Sequence, residues 1–374
     1  MDGRYQSILS SPVLAAKRKS VREIFVEHPQ AKETRDMLRL SLGSARDDGE
    51  NASAYVIGWS RCGKSEIVKR LLREQTGKKI SKAKVQLLSG NGKRFIYADL
   101  TGGATPRTLA RLINDKIFND RSSLRLGEDE GVGTLIENVN HNGIDGVFLD
   151  EAQNMADDRK GIVKLGRLIL SFENQCNAPL CVIGAPALET MRDEVDATRQ
   201  RSGGFKKLEP FGFNTEEHDA FVGTFSDRLP YHKNWFTENE DDPLTMRATF
   251  YAQRGRPGRH ALLVDAATVH AFIRTDGTDP EELTKADIAA GFDRVFRNEK
   301  IMLGLNPFLD EHLNRLPEEV FTAKHHVDLH IREPTLHGCA RSSNSKTRQS
   351  PRSPYVLRQW AESIRTPCYR YISG

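Results

Sequence analysis

Short, unbroken apolar runs alternate along most of the chain with stretches whose apolar residues recur at helical spacing. The runs Ala54-Tyr55-Val56-Ile57, Phe95-Ile96-Tyr97-Ala98, Val147-Phe148-Leu149, Leu180-Cys181-Val182-Ile183 and the shorter Phe205-Lys206-Lys207-Leu208 read as strands. Helices are predicted over Ala31 to Leu42, over Glu66 to Leu72, and after Thr105-Pro106-Arg107. There threonine as N-cap and proline at the first helical position open a helix that Leu109, Leu112 and Ile113 continue. Ile162, Val163, Leu165, Leu168, Ile169 and Phe172 mark one more, with a broad apolar face that reads as core packing. This alternation predicts an α/β fold, a parallel sheet flanked by helices, with one strand between the Glu66 helix and the Val147 run.

Beyond Glu209-Pro210-Phe211 the spacing turns helical: Thr215 to Arg228, His260 to Ile273, and Thr284 to Phe296, where Thr284 and Asp287 are spaced as a capping box. Tyr231 to Asp242 reads as a polar insertion with aromatics. A small all-helical lid is expected. From about Phe321 the periodicity is lost, and Lys and Arg outnumber acids nine to three, so a flexible basic tail is expected. The expected parts are an N-terminal appendage (1–43) with a basic patch at Lys17, Arg18, Lys19 and Arg22, an α/β core (44–212), the lid (213–308) and a C-terminal extension (309–374).

Composition changes this picture little. A chain of 374 residues suffices for one large or two modest domains, and a hydrophobic fraction of 38% fits a chain with one end outside any core. A net charge of +4 permits a nucleic-acid partner without arguing for one. Five irregularly spaced cysteines point to a reducing compartment, and with neither a membrane-length apolar run nor a signal-peptide core the expected location is the cytoplasm. His325, His326, His330, His337 and Cys339 fit no standard zinc spacing.

The chemistry concentrates at Gly58 to Ser65, G-W-S-R-C-G-K-S, placed between a strand and a helix. A strand, G-x-x-x-x-G-K-[ST] and a helix make a phosphate-binding loop, whose backbone N–H groups and helix N-terminus face the β- and γ-phosphates. Gly58, Ser60, Arg61, Cys62, Gly63, Lys64, Ser65 and Glu66 are the expected ATP contacts. Lys64 supplies a point charge and Ser65 a ligand for Mg²⁺. The Val147 run ends in Asp150-Glu151, carboxylates at the C-terminal end of a buried strand. Asp150 is expected in the Mg²⁺ shell and Glu151 as the residue that polarises the attacking water. In ATPases of this layout the next strand often ends in a polar residue that senses the γ-phosphate, but Gly184-Ala185-Pro186 offers none, so slow turnover is expected.

Several arginines have two readings each. Arg199 and Arg201 precede the last strand, either as an arginine finger completing a neighbouring subunit's site or as surface charge. Arg256 and Arg259, in R-G-R-P-G-R at the start of a lid helix, either reach back to the nucleotide or have a capping or surface role. The basic stretch from Lys78 and Lys79 to Arg94 is either a solvated face or a binding surface.

Together these motifs resemble an AAA+ ATPase, and within that superfamily the TniB/TnsC-type transposition helpers related to phage Mu's B protein. The finer resemblance covers about residues 20–308. It is carried by F-V-E-H-P-Q-A-K-E-T, V-F-L-D-E-A-Q-N-M, V-I-G-A-P-A-L, L-E-P-F, F-x-x-x-F-x-x-x-L-P from Phe221, and Asn306-Pro307-Phe308. It implies an ATPase that self-associates into rings or filaments on double-stranded DNA without reading sequence. It also implies recruitment of a DDE transposase and a TniQ-like target-selection protein, with hydrolysis driving disassembly. ATP would lie between subunits, Lys64, Ser65, Asp150 and Glu151 from one and Arg199 or Arg201 from the next. Lys78, Lys79, Thr105 and Arg107 are the candidate DNA contacts. Two other readings stand beside it: an ATP-gated scaffold with little turnover, and an AAA+ switch of replication-initiator or signalling type.

Overall fold

The computed structural model describes residues 3–44, 53–100, 102–156, 159–189, 204–299 and 302–321. Its centre is a six-stranded sheet of β1 (Ala54–Gly58), β2 (Val85–Gly90), β3 (Lys93–Asp99), β4 (Gly146–Asp150), β5 (Leu180–Gly184) and β6 (Gly204–Leu208). The spatial order is β2-β3-β4-β5-β1-β6. All neighbours are parallel except β2, which pairs antiparallel with β3. Every residue of β1, β4 and β5 is buried, because helices cover both faces of the sheet.

Alternate residues serve opposite faces. Tyr55 and Ile57 join one cluster with Leu109, Ile113, Leu135, Leu165 and Ile169, from α5 (Pro106–Ile117), α6 (Glu128–His141) and α7 (Arg159–Gln175). Ala54 and Val56 join another with Leu38, Ile67 and Leu71, from α3 (Pro29–Ser44) and α4 (Lys64–Thr76). Thr105 caps α5 as expected, accepting from Thr108 N at 3.2 Å.

Two expectations need correction. Two strands, not one, lie between α4 and β4: the basic stretch after Gly77 contains β2, which forms a tight hairpin with β3 through Asn91 and Gly92, both at positive φ. And Tyr231 to Asp242 is no polar insertion. It includes a short helix (Trp235–Glu238) whose Phe236 is buried with Phe221, Phe225 and Phe292 in the lid core.

The lid is mainly helical, as expected, though not entirely: Lys233–Asn234 pairs in parallel with Glu282–Leu283. Its main helices are Glu216–Asp227, Pro243–Gln253, Pro257–Arg274 and Lys285–Val295, the last with the expected Thr284–Asp287 capping box. Leu313, Leu316 and Val320 also join its core, so packing runs past residue 308.

The N-terminal residues divide between lid and core. Helix α2 (Pro12–Glu23), which follows α1 (Gly3–Leu9), lies on Pro257–Arg274, where Arg18 and Arg22 both bind Asp265 at 2.8 Å. Residues 24–28 then pass between the two units without regular structure: Arg70 of α4 stacks over Phe25 at 4.2 Å, and Arg228 of the lid donates to Phe25 O. Next, α3 packs on β6, with Met37 against Gly204, where a side chain would collide.

Candidate nucleotide site

The C-terminal ends of β1, β4 and β5 lie side by side, with Ile57 beside Gly184 and Leu149 beside Val182, so the loops that follow them meet. Gly58 is required at the first turn, since a Cβ there would stand 2.4 Å from the Leu208 carbonyl. The loop then curves through Arg61 (φ 66) and Gly63 (φ 92) into α4. Gly63 is the N-cap and has no side chain to accept from the first turn of α4, which leaves those N–H groups for an anion. Cys62 points into the core, so its contribution to the cradle is backbone, while Ser60 and Arg61 are exposed on the loop and Glu66 pairs with Arg70 at 2.9 Å.

Lys64 is 7% exposed, and its ammonium donates to Gly58 O (2.7 Å) and Trp59 O (2.9 Å). Burial holds its pKa below the ordinary lysine range, against the opposing pull of Cys62, Glu151 and Asp150. Asp150 is equally buried. Tyr97 of β3 donates its hydroxyl to one carboxylate oxygen at 2.5 Å, and Glu151 N donates to the other at 3.0 Å. Burial first, then the Asp150 charge, keeps the Tyr97 phenol protonated. Glu151 has φ 57, a left-handed conformation uncommon outside glycine, which turns the chain away from β4 into the short turn Ala152–Met155.

This donor set fits a nucleotide with its cation. A glycine-capped helix start offers N–H groups, a buried ammonium rests on carbonyls alone, and a carboxylate is oriented by two donors of its own. Lys64 and the loop N–H groups would hold the phosphates, and Ser65 with Asp150 would hold Mg²⁺.

The lid touches this loop directly. Gly258 N donates to Arg61 O at 2.8 Å, and a Cβ on Gly258 would lie 2.9 Å from that oxygen. Arg256 is 4% exposed, reaches Ser60 O at 3.4 Å and lies over the Trp59 ring at 5.9 Å. Arg259, by contrast, is turned into the lid: it pairs with Glu299 at 3.0 Å, donates to Ala252 O and stacks over Phe296. Arg199 and Arg201 lie outside the described residues.

The four candidate DNA contacts do not form one patch. Lys78 and Lys79 line a groove with β2 and with Lys116 in the last turn of α5, and Lys79 pairs with Glu23 at 2.6 Å. Thr105 and Arg107 open the same helix, about 15 Å away at its rise of roughly 1.5 Å per residue.

Two residues near the site escaped the sequence reading. Tyr97 is one, since nothing local marks a strand tyrosine as the partner of a carboxylate on the neighbouring strand. Gln153 is the other. Its side chain donates to Glu151 Oε2 at 2.5 Å and accepts from Ala185 N at 3.0 Å.

Residues 47–191 match the profile of the family described as AAA domain. No curated protein matches the chain. Among solved structures, Cdc6p from Pyrobaculum aerophilum is similar with a TM-score of 0.53 at 16% identity, covering 80% of this chain and 74% of that one. The Aeropyrum pernix ORC1 protein in complex with DNA is similar with a TM-score of 0.52 at 16% identity, covering 85% and 75%. The Aeropyrum pernix ORC2 protein, in ADPNP–ADP complexes, gives 0.52 at 13%, covering 73% and 71%. The chain is thus similar to an AAA domain over residues 47–191 and has the AAA+ P-loop fold of these proteins.

Proposed function

We propose that the protein is an AAA+ ATPase that works as a nucleotide-controlled switch on double-stranded DNA, of the transposition-helper type. The observation that carries the nucleotide half is the meeting of Lys64, Asp150 and Glu151 at one edge of the sheet, with Arg256 of the lid against the same loop. Lys64 holds phosphate charge, Ser65 and Asp150 hold Mg²⁺, and Glu151 accepts a proton from the attacking water. Mg²⁺, when bound, neutralises charge on the β- and γ-phosphates. Arg199 or Arg201 would complete the site from a second copy in a ring or filament, so that hydrolysis dismantles the assembly.

The transposition reading rests on the flanking motifs, which meet in the fold. E-H-P and L-E-P-F pack on each other, His28 edge-on to Phe211 at 5.0 Å, with Glu209 N donating to Gln30 at 3.0 Å. Phe211 also exchanges contact with the lid through Gly255, while the phenylalanine of N-P-F packs in the lid core against Trp235. These motifs thus join the N-terminal segment, core and lid. A DDE transposase and a TniQ-like protein are the partners this reading implies. The likeness to ORC1, solved in complex with DNA, favours a second reading, an initiator-type switch on DNA.

Two measurements test the proposal. Electron microscopy with duplex DNA and a non-hydrolysable ATP analogue at low salt is expected to show rings or filaments. Isolated particles under those conditions would remove the assembly reading. Hydrolysis by the wild type should exceed that of Glu151→Gln at least about tenfold, and equal rates would leave the ATP-gated scaffold instead.

A further inference from the structure

The strand after the acidic pair ends in Gly184-Ala185-Pro186, without a polar side chain, yet a polar side chain stands there. It comes from Gln153, and its orientation follows from its neighbours. The backbone N–H of Ala185 can only donate, so it must face the amide oxygen, at 3.0 Å. With that oxygen so placed, the amide nitrogen faces and donates to Glu151 Oε2, at 2.5 Å. Flipping the amide would break both bonds at once. Room for it is made by Gly184, where a Cβ would lie 2.5 Å from the Gln153 oxygen and 2.5 Å from Leu188. One neutral amide therefore ties the loop after β4 to the end of β5.

We propose that Gln153 is a positioning residue for ATP hydrolysis: it supplies from the β4 loop the polar group that β5 lacks, and it fixes the Glu151 carboxylate by a single oxygen. The inference rests on the ATPase reading above. A tie of this kind has a definite consequence. Glu151 has φ 57 and lies, half-buried, at the start of a short turn. The Gln153 amide takes Oε2 and leaves Oε1 to receive the proton of the attacking water. The same amide links Glu151 to the end of β5, which lies beside the end of β1 where the phosphate loop begins.

Two substitutions separate the halves of the tie in the full-length protein. Gln153→Glu keeps an oxygen for Ala185 N–H but sets a second carboxylate against Glu151. Gln153→Met keeps the length and loses both bonds. With Mg²⁺ and ATP, both variants are expected to lose about tenfold to a hundredfold in kcat, the range of one hydrogen bond to a charged group. Affinity for a fluorescent ADP analogue should stay within about twofold. Hydrogen exchange at the Ala185 amide, read without nucleotide, should quicken in Gln153→Met and stay slow in Gln153→Glu. A kcat within about twofold of wild type in both variants, while Glu151→Gln is inactive, overturns the role of Gln153 and leaves the ATPase reading standing. A parallel loss of nucleotide affinity makes Gln153 structural and also overturns it. A wild type no faster than Glu151→Gln overturns both.

Discussion

His28 links a sequence motif to a pH dependence. It is buried beside Phe211, and burial lowers its pKa to about 4 from an ordinary 6.5. The unfolded chain therefore takes up a proton below pH 6.5 that the folded chain refuses until about pH 4. The stability it contributes is complete above pH 6.5 and is lost as the pH falls from there toward 4. At pH 5 the loss amounts to about 2 kcal/mol. His28→Phe keeps a ring against Phe211 and cannot titrate, so urea unfolding at pH 7 and pH 5 should show it losing about 2 kcal/mol less than wild type. An equal loss in both proteins would mean that His28 is solvated or protonated in the fold.

Among elements, the docking of α2 on the lid includes one buried carboxylate shared by two arginines. Burial alone would raise the pKa of Asp265, but hydrogen bonds from Arg18 and Arg22 outweigh it and hold the group below the ordinary range. Its side chain is 6% exposed while that of Arg22 is 57% exposed, so either guanidinium can lose its partner role to the other with modest effect. Arg18→Ala and Arg22→Ala are each expected to cost about 1 kcal/mol or less, and the double variant about 3–5 kcal/mol, because only then is a buried charge left unpaired. A denaturation cycle giving additive losses would place Asp265 in contact with water.

Legibility in the sequence also differed by element. The phosphate loop and the acidic pair were readable because each role is set by residues within one strand-to-loop turn. The lid helices were readable where caps such as Thr284 and Asp287 mark their starts. β2 was not, because the lysines before it and the glycine at its end mask a short strand that needs β3 to pair with. α6 was not, since Gly131 and Gly133 interrupt a helix whose Leu135, Ile136 and Val139 are held by the sheet. α2 presents only Leu14 and Val21 as buried residues, a sparse stripe that makes sense once the lid lies beneath it. Gln153 was unreadable for a different reason: its meaning lies in Ala185, a residue just past the end of β5.

For the whole molecule, the two ends of α5 offer alternative faces to a duplex. Arg107 is exposed with no ion pair described for it, whereas Lys79 is already paired with Glu23. DNA binding through the start of α5 predicts that Arg107→Ala reduces the slope of log affinity against log salt by about 0.9, and that Lys79→Ala leaves it unchanged. The reverse result would move the duplex to the groove beside β2.

The path of the first 44 residues sets a limit of its own. Since α2 rides on the lid and α3 on the core, residues 24–28 are a tether between the two. Five residues span at most about 17 Å when drawn straight. A swing of the lid beyond that reach must strip α2 from its seat or unwind the first turn of α3, so the leash length of this segment caps the stroke of the switch.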